Sequence, residues 1–142
     1  MKEASVHLHE AMSLHERGDI DGALKEAEQA IALAPDFVEA HLYLGTTLVA
    51  RKRRFRDGLE ALERARKLSP EDASVYYNLG WCYEFAAHHL SRRAGGAPAG
   101  LEPKRLYAKA VEYMRRCLEL NPDEEMRGDI QKLLERTPGA DA

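Results

Sequence analysis

GLEALERARKLSP at 58–70 ends in the same way as two other stretches of the sequence, GALKEAEQAIALAP at 22–35 and AKAVEYMRRCLELNP at 108–122. When the three are aligned on their terminal prolines, small or apolar residues recur every three or four positions, which is the spacing of one helix face. Each run stops at a proline, because proline disfavours helical backbone in the residue before it. The pattern predicts three amphipathic helices that belong to one repeated unit.

A second helix-like run precedes two of these stretches. The runs HLYLGTTLVA (41–50) and YYNLGWCYEF (76–85) share a Leu-Gly pair. Glycine inside a helix costs about 1 kcal/mol relative to alanine, so these positions need a structural reason. We expect the backbone of a neighbouring helix to approach closely at Gly45 and Gly80.

Together these residues resemble the tetratricopeptide repeat, a unit of about 34 residues. The aromatic, Leu-Gly, aromatic, small and proline positions of that repeat are filled in the third copy by Tyr76, Leu79, Gly80, Tyr83, Ala110 and Pro122. The resemblance implies an all-α fold, a right-handed α-solenoid of three helix-turn-helix repeats plus a C-terminal capping helix.

The expected organisation is a single domain over 1–142. The expected parts are repeat one at 4–37, repeat two at 38–72, repeat three at 73–122 with an insert at 88–105, a capping helix at 123–136 and a disordered tail at 137–142. The insert is inferred because Pro70 and Pro122 lie about 18 residues further apart than one period allows. It is expected to be a loop that follows a prolonged first helix, with Pro103 in the first turn of the next helix. In repeat one, His7 and Glu10 replace large apolar residues, which a terminal repeat tolerates because nothing precedes it in the stack.

The composition is typical of a soluble domain in a reducing compartment. Of 142 residues, 44% are hydrophobic and 32% charged, and the net charge is −3. Two cysteines are too few for a disulfide framework, and no apolar run is long enough to cross a bilayer. The first residues, MKEASVHLHE, contain no apolar segment of a secretory signal. We therefore expect a cytoplasmic protein that is not inserted in a membrane.

No catalytic, cofactor-binding or metal-binding residue is predicted, and the chain is not expected to be an enzyme. His9-Glu10 begins like a zinc-protease motif, but the next histidine, His15, lies about 120° around the helix from His9. The segment GGAPAG lacks the Lys-Ser/Thr ending of a phosphate-binding loop. Cys82 and Cys117 are expected to be buried thiols that fill small spaces.

The resemblance implies a concave groove lined by the first helix of each pair. Tyr77, Trp81 and Phe85 recur every four residues and share one side of their helix. Apolar patches with a polar rim mark interaction sites, so the groove is predicted to bind a protein or peptide partner through an apolar or amphipathic segment. The predicted groove residues are Leu8, Met12, Leu42, Thr46, Val49, Tyr77, Trp81 and Phe85. Two alternatives stay open: the capping helix covers the aromatic stripe, or a second copy of the chain does, which would make a homo-oligomer.

One subclass of the family holds the carboxylates of heat-shock chaperone tails with lysine, asparagine and arginine side chains. The corresponding positions here carry other residue types, namely Leu8, Met12, Tyr43, Ser74 and Tyr77. The clamp is therefore absent, and an acidic chaperone tail is not expected in this groove.

Basic residues are concentrated in the turn of repeat two and around the insert of repeat three. They are Arg51, Lys52, Arg53, Arg54, Arg56, Arg92, Arg93, Lys104 and Arg105. Stacking places equivalent turns side by side, so these residues are expected to form one basic edge. Such charges commonly serve only solvation, and as a binding surface the edge would take an acidic protein segment, an anionic membrane or RNA. Nucleic acid is not favoured, because the net charge is negative and Phe55 alone offers little stacking surface.

Overall fold

The computed structural model describes residues 2–141 and contains seven helices over that range, with no strand. The helices are α1 (Lys2–Glu16), α2 (Ile20–Leu33), α3 (Val38–Ala50), α4 (Phe55–Leu68), α5 (Ala73–Ser91), α6 (Pro103–Glu119) and α7 (Glu124–Glu135). The predicted all-α helical-repeat solenoid is confirmed.

The helices pack mainly in three consecutive pairs, α1 with α2, α3 with α4 and α5 with α6. The second helix of each pair also contacts the helix that follows it, and α3 contacts α5. Each pair is therefore a helical hairpin that stacks on the next, and α7 caps the third pair by contacting both α5 and α6.

Residues that favour helix starts set the boundaries of several helices. The carboxylates of Asp19, Asp72 and Asp123 accept hydrogen bonds from backbone N–H groups in the first turns of α2, α5 and α7. These caps satisfy donors that a helix start leaves without a partner. Pro103 occupies the first turn of α6, as predicted, where its missing N–H costs nothing.

Only the middle of the predicted insert range 88–105 is a loop. Helix α5 continues to Ser91 and α6 begins at Pro103, so both ends of that range are helical. The helix continues past residue 88 because it places the side chain of Leu90 in the main core cluster, and burial of that apolar surface stabilises the fold.

The glycines of the Leu-Gly pairs allow close packing within hairpins, as predicted. A Cβ on Gly45 would lie 2.9 Å from the carbonyl oxygen of Gly58, and a Cβ on Gly58 would lie 2.8 Å from that of Gly45. The prediction of backbone approach is therefore confirmed at Gly45. At Gly80 the nearest atom is instead Cγ of the Met114 side chain, at 2.8 Å, with the Met114 backbone beyond it.

Two aligned residues connect each repeat to the proline that ends the preceding one. The Nε2 atom of His41 lies 2.8 Å from the carbonyl oxygen of Pro35, and the hydroxyl of Tyr76 donates to that of Pro70 over 2.8 Å. His41 is buried, and its hydrogen bond to the carbonyl of Pro35 explains why a histidine is tolerated in the interior. Its Nδ1 atom has no hydrogen-bond partner among the described residues.

The segment after α7 differs from the expected disordered tail at 137–142. Residues 137–141 form turns, and residue 142 lies outside the described residues. Thr137 is buried because its hydroxyl donates to the carbonyl of Leu133 and lies near the sulfur of Met114. Further on, the guanidinium of Arg115 donates to the carbonyl of Ala140, so this segment is attached to α6.

Candidate binding surfaces

The structure separates the eight predicted groove residues into two groups. Leu8 and Val49 are core residues, with 6% and 0% of their surface exposed, and their prediction as partner contacts is wrong. The other six, which we call the groove stripe, are at least partly exposed. They are Met12 on α1, Leu42 and Thr46 on α3, and Tyr77, Trp81 and Phe85 on α5.

Packing against neighbouring helices explains why two groove residues are buried. Leu8 belongs to a cluster with Ala30, Phe37 and Ala40, in the space between α1, α2 and α3. Val49 fills the room that Gly58 leaves, since its Cγ2 would lie only 2.6 Å from a Cβ there. Both side chains are therefore used within the fold.

The three aromatic residues of the groove stripe, Tyr77, Trp81 and Phe85, form a half-buried ladder on the outside of the main core. The rings of Trp81 and Phe85 meet edge to face with centroids 6.4 Å apart, and Phe85 stacks on His89 at 4.1 Å. The indole N–H of Trp81 donates to the side-chain oxygen of Asn78 over 3.1 Å. The rings are thus held in place by their own helix, with one flank against the core and the other open.

Helix α7 covers only part of this ladder. The hydroxyl of Tyr77 donates to a carboxylate oxygen of Asp129 over 3.3 Å. Burial raises the pKa of Tyr77, and the negative charge of Asp129 raises it further. At the other end, Phe85 borders a concavity of about 370 Å³ with Glu84, His88, His89 and Arg136. Because all three rings stay half-buried, the capping helix does not seal them.

All nine residues of the predicted basic edge are exposed, and the fold distributes them among several contacts. Arg51 lies 3.3 Å from Nε2 of His15, and Lys52 pairs with Asp21 over 2.8 Å. Arg105 lies 3.5 Å from Glu102 and faces a different groove. Arg92 lies exposed at the end of α5, and Lys104 lines the outer side of α6.

Four of the nine basic residues share one concavity. They are Arg53, Arg54, Arg56 and Arg93. The turn between α3 and α4 therefore lies beside the insert. Only these four arginines line the concavity between them, and the other five basic residues lie elsewhere.

An outer groove of about 790 Å³ between α4 and α6 contains a polar network that sequence reasoning missed. The hydroxyls of Tyr83 and Tyr113 each donate to Oε2 of Glu63 over 2.7 Å. The guanidinium of Arg66 donates to its Oε1 over 2.7 Å. Burial alone would raise the pKa of Glu63, but these three hydrogen bonds outweigh it and lower that pKa. The two tyrosines lie 20 and 50 residues from Glu63, and no local pattern links them to it.

The remaining titratable clusters have structural explanations. Cys82 and Cys117 are fully buried, as predicted. Burial raises the pKa of both thiols, that of Cys117 to about 11, which keeps them protonated and poor nucleophiles. Within residues 2–141 there is no group of three or more His, Cys, Asp or Glu side chains that could hold a metal ion. No helix in the same range is long and apolar enough to cross a membrane.

The repeated hairpins and the positions of their glycines and prolines define a helical-repeat protein, and family comparison agrees. The tetratricopeptide-repeat pattern matches residues 8–53 and 47–87, and a second pattern of that family matches residues 101–124. The chain belongs to the tetratricopeptide repeat (TPR) family.

Two curated relatives are much longer than this chain. A TPR repeat-containing protein of Pseudomonas aeruginosa is 28% identical over 120 residues, which are 84% of this chain and 17% of that protein. Protein O-mannosyl-transferase Tmtc2 of Drosophila melanogaster is 37% identical over 79 residues, which are 51% of this chain and 8% of that protein. The chain thus spans less than a fifth of either relative.

Solved structures with low sequence identity share the fold. The first TPR domain of Spaghetti, bound to an HSP90 peptide, superposes with a TM-score of 0.68 at 17% identity, covering 94% of this chain and 92% of that one. The N-terminal domain of stress-induced protein-1 from C. elegans gives 0.59 at 16% identity, covering 92% and 93%. A MamA structure gives 0.60 at 21% identity, covering 96% and 67%.

Proposed function

We propose that this chain is a protein–protein interaction module that binds an apolar or amphipathic segment of a partner along the groove stripe. The observation that carries the proposal is the half-open aromatic ladder of α5, Tyr77, Trp81 and Phe85. Covering large rings that are partly exposed to water is favourable, because it removes apolar surface from the solvent. The proposal assigns no catalytic chemistry to the chain.

The ladder is suited to binding because its rings are positioned before a partner arrives. The bond from Trp81 to Asn78 and the stacking of Phe85 on His89 restrict both side chains. Binding then loses less side-chain entropy than it would with freely rotating rings. Tryptophan and tyrosine are also the residues that most often dominate the energy of protein interfaces.

The Tyr77 end of the ladder is acidic, and the Phe85 end has two arginines beside one glutamate, which favours an amphipathic segment in one orientation. The Tyr77 end has the carboxylate of Asp129. At the Phe85 end, the guanidinium carbon of Arg53 lies 5.9 Å from the ring centroid. A basic residue of the partner is expected beside Asp129, and an acidic residue beside Arg53.

An acidic chaperone tail is not part of the proposal, although one structural neighbour is bound to an HSP90 peptide. Similarity to that neighbour concerns the fold. At the clamp positions Leu8 is buried and Met12 is an exposed thioether, so neither can pair with a carboxylate.

The test is a selection from a random peptide display library on the folded chain, followed by affinity measurements on the selected peptides. We expect peptides with apolar residues on one face, and Trp81→Ala should weaken their binding by about 30-fold, since truncation of an interface anchor costs about 2 kcal/mol. Leu68→Ala is the matched control, because Leu68 is an exposed apolar residue on α4 outside the stripe. It should bind as the wild type does.

Other outcomes would contradict the proposal. Equal affinity of Trp81→Ala and wild type would place the binding site elsewhere, and loss of helical circular dichroism in that variant would make Trp81 a core residue. Light scattering over a concentration series covers self-association: a dimer that dissociates on Trp81→Ala would assign the stripe to a second copy of the chain.

A further inference from the structure

The shallow concavity where the α3–α4 turn meets the insert, which we call the arginine pocket, has a volume of about 220 Å³. Apolar residues, including Phe55, Leu90 and Leu101, line it together with one carboxylate, that of Asp57. Its remaining charged residues are Arg53, Arg54, Arg56 and Arg93. The pocket therefore combines four cations with one anion in a small space.

Several of these guanidinium groups are held in place by contacts within the fold. Arg54 donates twice to Asp57, over 2.6 and 3.1 Å, and Arg56 donates to the carbonyl of Ala99 in the insert over 2.8 Å. Arg93 has no salt bridge among the described residues, so within residues 2–141 its charge is uncompensated by a direct partner. The pocket thus offers partly ordered donors and at least one cation available for an anion.

The turn that carries Arg53 and Arg54 departs from the turn of repeat one at two successive positions. Gly18 and Arg53 both precede the cap residue and both have positive φ, +87° and +55°. That backbone suits glycine and strains arginine. At the next position Asp19 caps α2 by accepting from Gly22, whereas Arg54 makes no side-chain cap to α4.

The turn therefore lacks the glycine at position 53 and the side-chain cap at position 54, although Arg54 regains a two-point pair with Asp57. Functional or strained sites are the places where local sequence rules are expected to be broken. Arg53 also lies over the ring of Phe85, so the two arginines have contacts within the fold as well as exposed charge.

We propose that the arginine pocket binds a phosphorylated side chain of a protein partner. A phosphate monoester carries nearly two negative charges and three acceptor oxygens, which match the forked donors of arginine. The size of the pocket suits one compact anion. RNA is less well matched because Phe55 is buried and offers no open ring for a base. A lipid phosphodiester carries a single negative charge, so it pairs with several arginines less well than a phosphate monoester does. The proposal shares Arg53 with the Phe85 end of the groove stripe and otherwise rests on residues outside that stripe.

The test is a nuclear magnetic resonance titration of the ¹⁵N-labelled chain with two capped peptides, Ala-Ala-phosphoserine-Ala-Ala and its serine counterpart, in physiological salt. We expect saturable shifts at residues 53–57, 93 and 99–101 with the phosphopeptide, and at least about tenfold weaker binding of the serine peptide. Arg93→Gln should weaken phosphopeptide binding by about tenfold, because it removes one charge-assisted contact.

The sharpest variant is the double change Arg53→Gly and Arg54→Ser, which restores the turn chemistry of repeat one. It should raise Tm by about 3 °C or more while it weakens phosphopeptide binding at least about tenfold. The control removes two cations elsewhere, with Arg17→Gln and Lys25→Gln on repeat one. It should bind the phosphopeptide as the wild type does.

Three outcomes would overturn the proposal. Equal binding of the two peptides would remove phosphate as the recognised group, and a lower Tm in the Arg53→Gly, Arg54→Ser variant would make both arginines structural. Sedimentation with phosphatidylserine vesicles and anisotropy with a labelled oligouridine complete the test. If the double variant loses either of these while its phosphopeptide affinity is unchanged, the pocket binds lipid or RNA instead.

Discussion

The first hairpin, α1 with α2, and the third, α5 with α6, follow one backbone plan but fill their interiors differently. The first is closed by three fully buried alanines, Ala11, Ala23 and Ala27. The third buries larger side chains that belong to the main core cluster, among them Leu79 and Met114. The third hairpin packs against both repeat two and α7, whereas in the described chain the first packs on one neighbour. More faces to cover require more apolar volume.

The polar contacts of the two hairpins also differ: the first hairpin has a pair within itself, and the third is bonded to the preceding repeat. In the first, His7 and Glu26 lie 2.5 Å apart as a half-exposed pair. In the third, Tyr83 and Tyr113 meet Glu63 of the preceding repeat inside the outer groove. The larger buried side chains and the polar contacts between repeats thus lie in the part of the stack that also carries the aromatic ladder and the arginine pocket.

The largest expected effect is on the interior of the third hairpin. Met114→Ala should lower the free energy of unfolding by about 3 kcal/mol, because it leaves a cavity beside Gly80 in a fully buried site. Leu14→Ala is the counterpart in the first hairpin, where the side chain is half-buried, and should cost about 1 kcal/mol. Urea denaturation measures both. Equal losses would show that the two interiors contribute equally.

The next effect concerns the close approach of α3 and α4 within the second hairpin. Gly45→Ala should cost about 2 kcal/mol, since the new Cβ would lie 2.6 Å from Leu62 and 2.9 Å from a backbone oxygen, and overpacking shifts both. Thermal unfolding followed by circular dichroism checks this. An unchanged Tm would mean that α3 and α4 can move apart without a loss of stability.

The buried network predicts a dependence of stability on pH. The folded chain lowers the pKa of Glu63 below its ordinary value of 4.5, so its contribution is present above that value and is lost as the pH falls through the lower, folded pKa. Glu63→Gln should lower stability at pH 7 by about 1.5 kcal/mol, because hydrogen bonds to a charged acceptor are replaced by weaker ones.

The pH profile of Glu63→Gln separates this network from the pair in the first hairpin. Below pH 5 the unfolding free energy of the variant should fall less steeply than that of the wild type. The matched change at the half-exposed pair, Glu26→Gln, should cost under about 1 kcal/mol. Parallel acid profiles of wild type and Glu63→Gln would contradict the assignment of the lowered pKa to this network.

The smallest effect is expected at the far end of the stack. Gly128→Ala should raise the free energy of unfolding by about 0.8 kcal/mol, because Gly128 is inside α7 and a Cβ there meets no atom within 4 Å. A rise in the urea midpoint at constant slope would confirm it. A lower urea midpoint would show that a methyl group at position 128 disturbs the packing of α7, and that this helix tolerates added volume no better than the hairpin interiors do.

The sequence predicted the hairpins but only part of the candidate site. Periodic apolar residues, the Leu-Gly pairs and the terminal prolines act through local geometry, so the helices and their order could be read directly. Exposure could not be read in the same way. Leu8 and Val49 share a helix side with groove residues, yet contacts with Ala40 and Gly58 bury them. Those contacts depend on how closely the helices approach each other.

By itself, the sequence determined the repeat, the turn residues and the positions of rings and charges, because these depend on spacing along one chain. Tertiary structure alone decided that Glu63 accepts hydrogen bonds from two tyrosines of another hairpin. It likewise decided that Arg93 lies in the same concavity as the arginines of a turn about 40 residues earlier. It also decided that α7 leaves the α5 ladder half open. The physical reason is that burial and electrostatics depend on distances through space, which are fixed only when the hairpins stack.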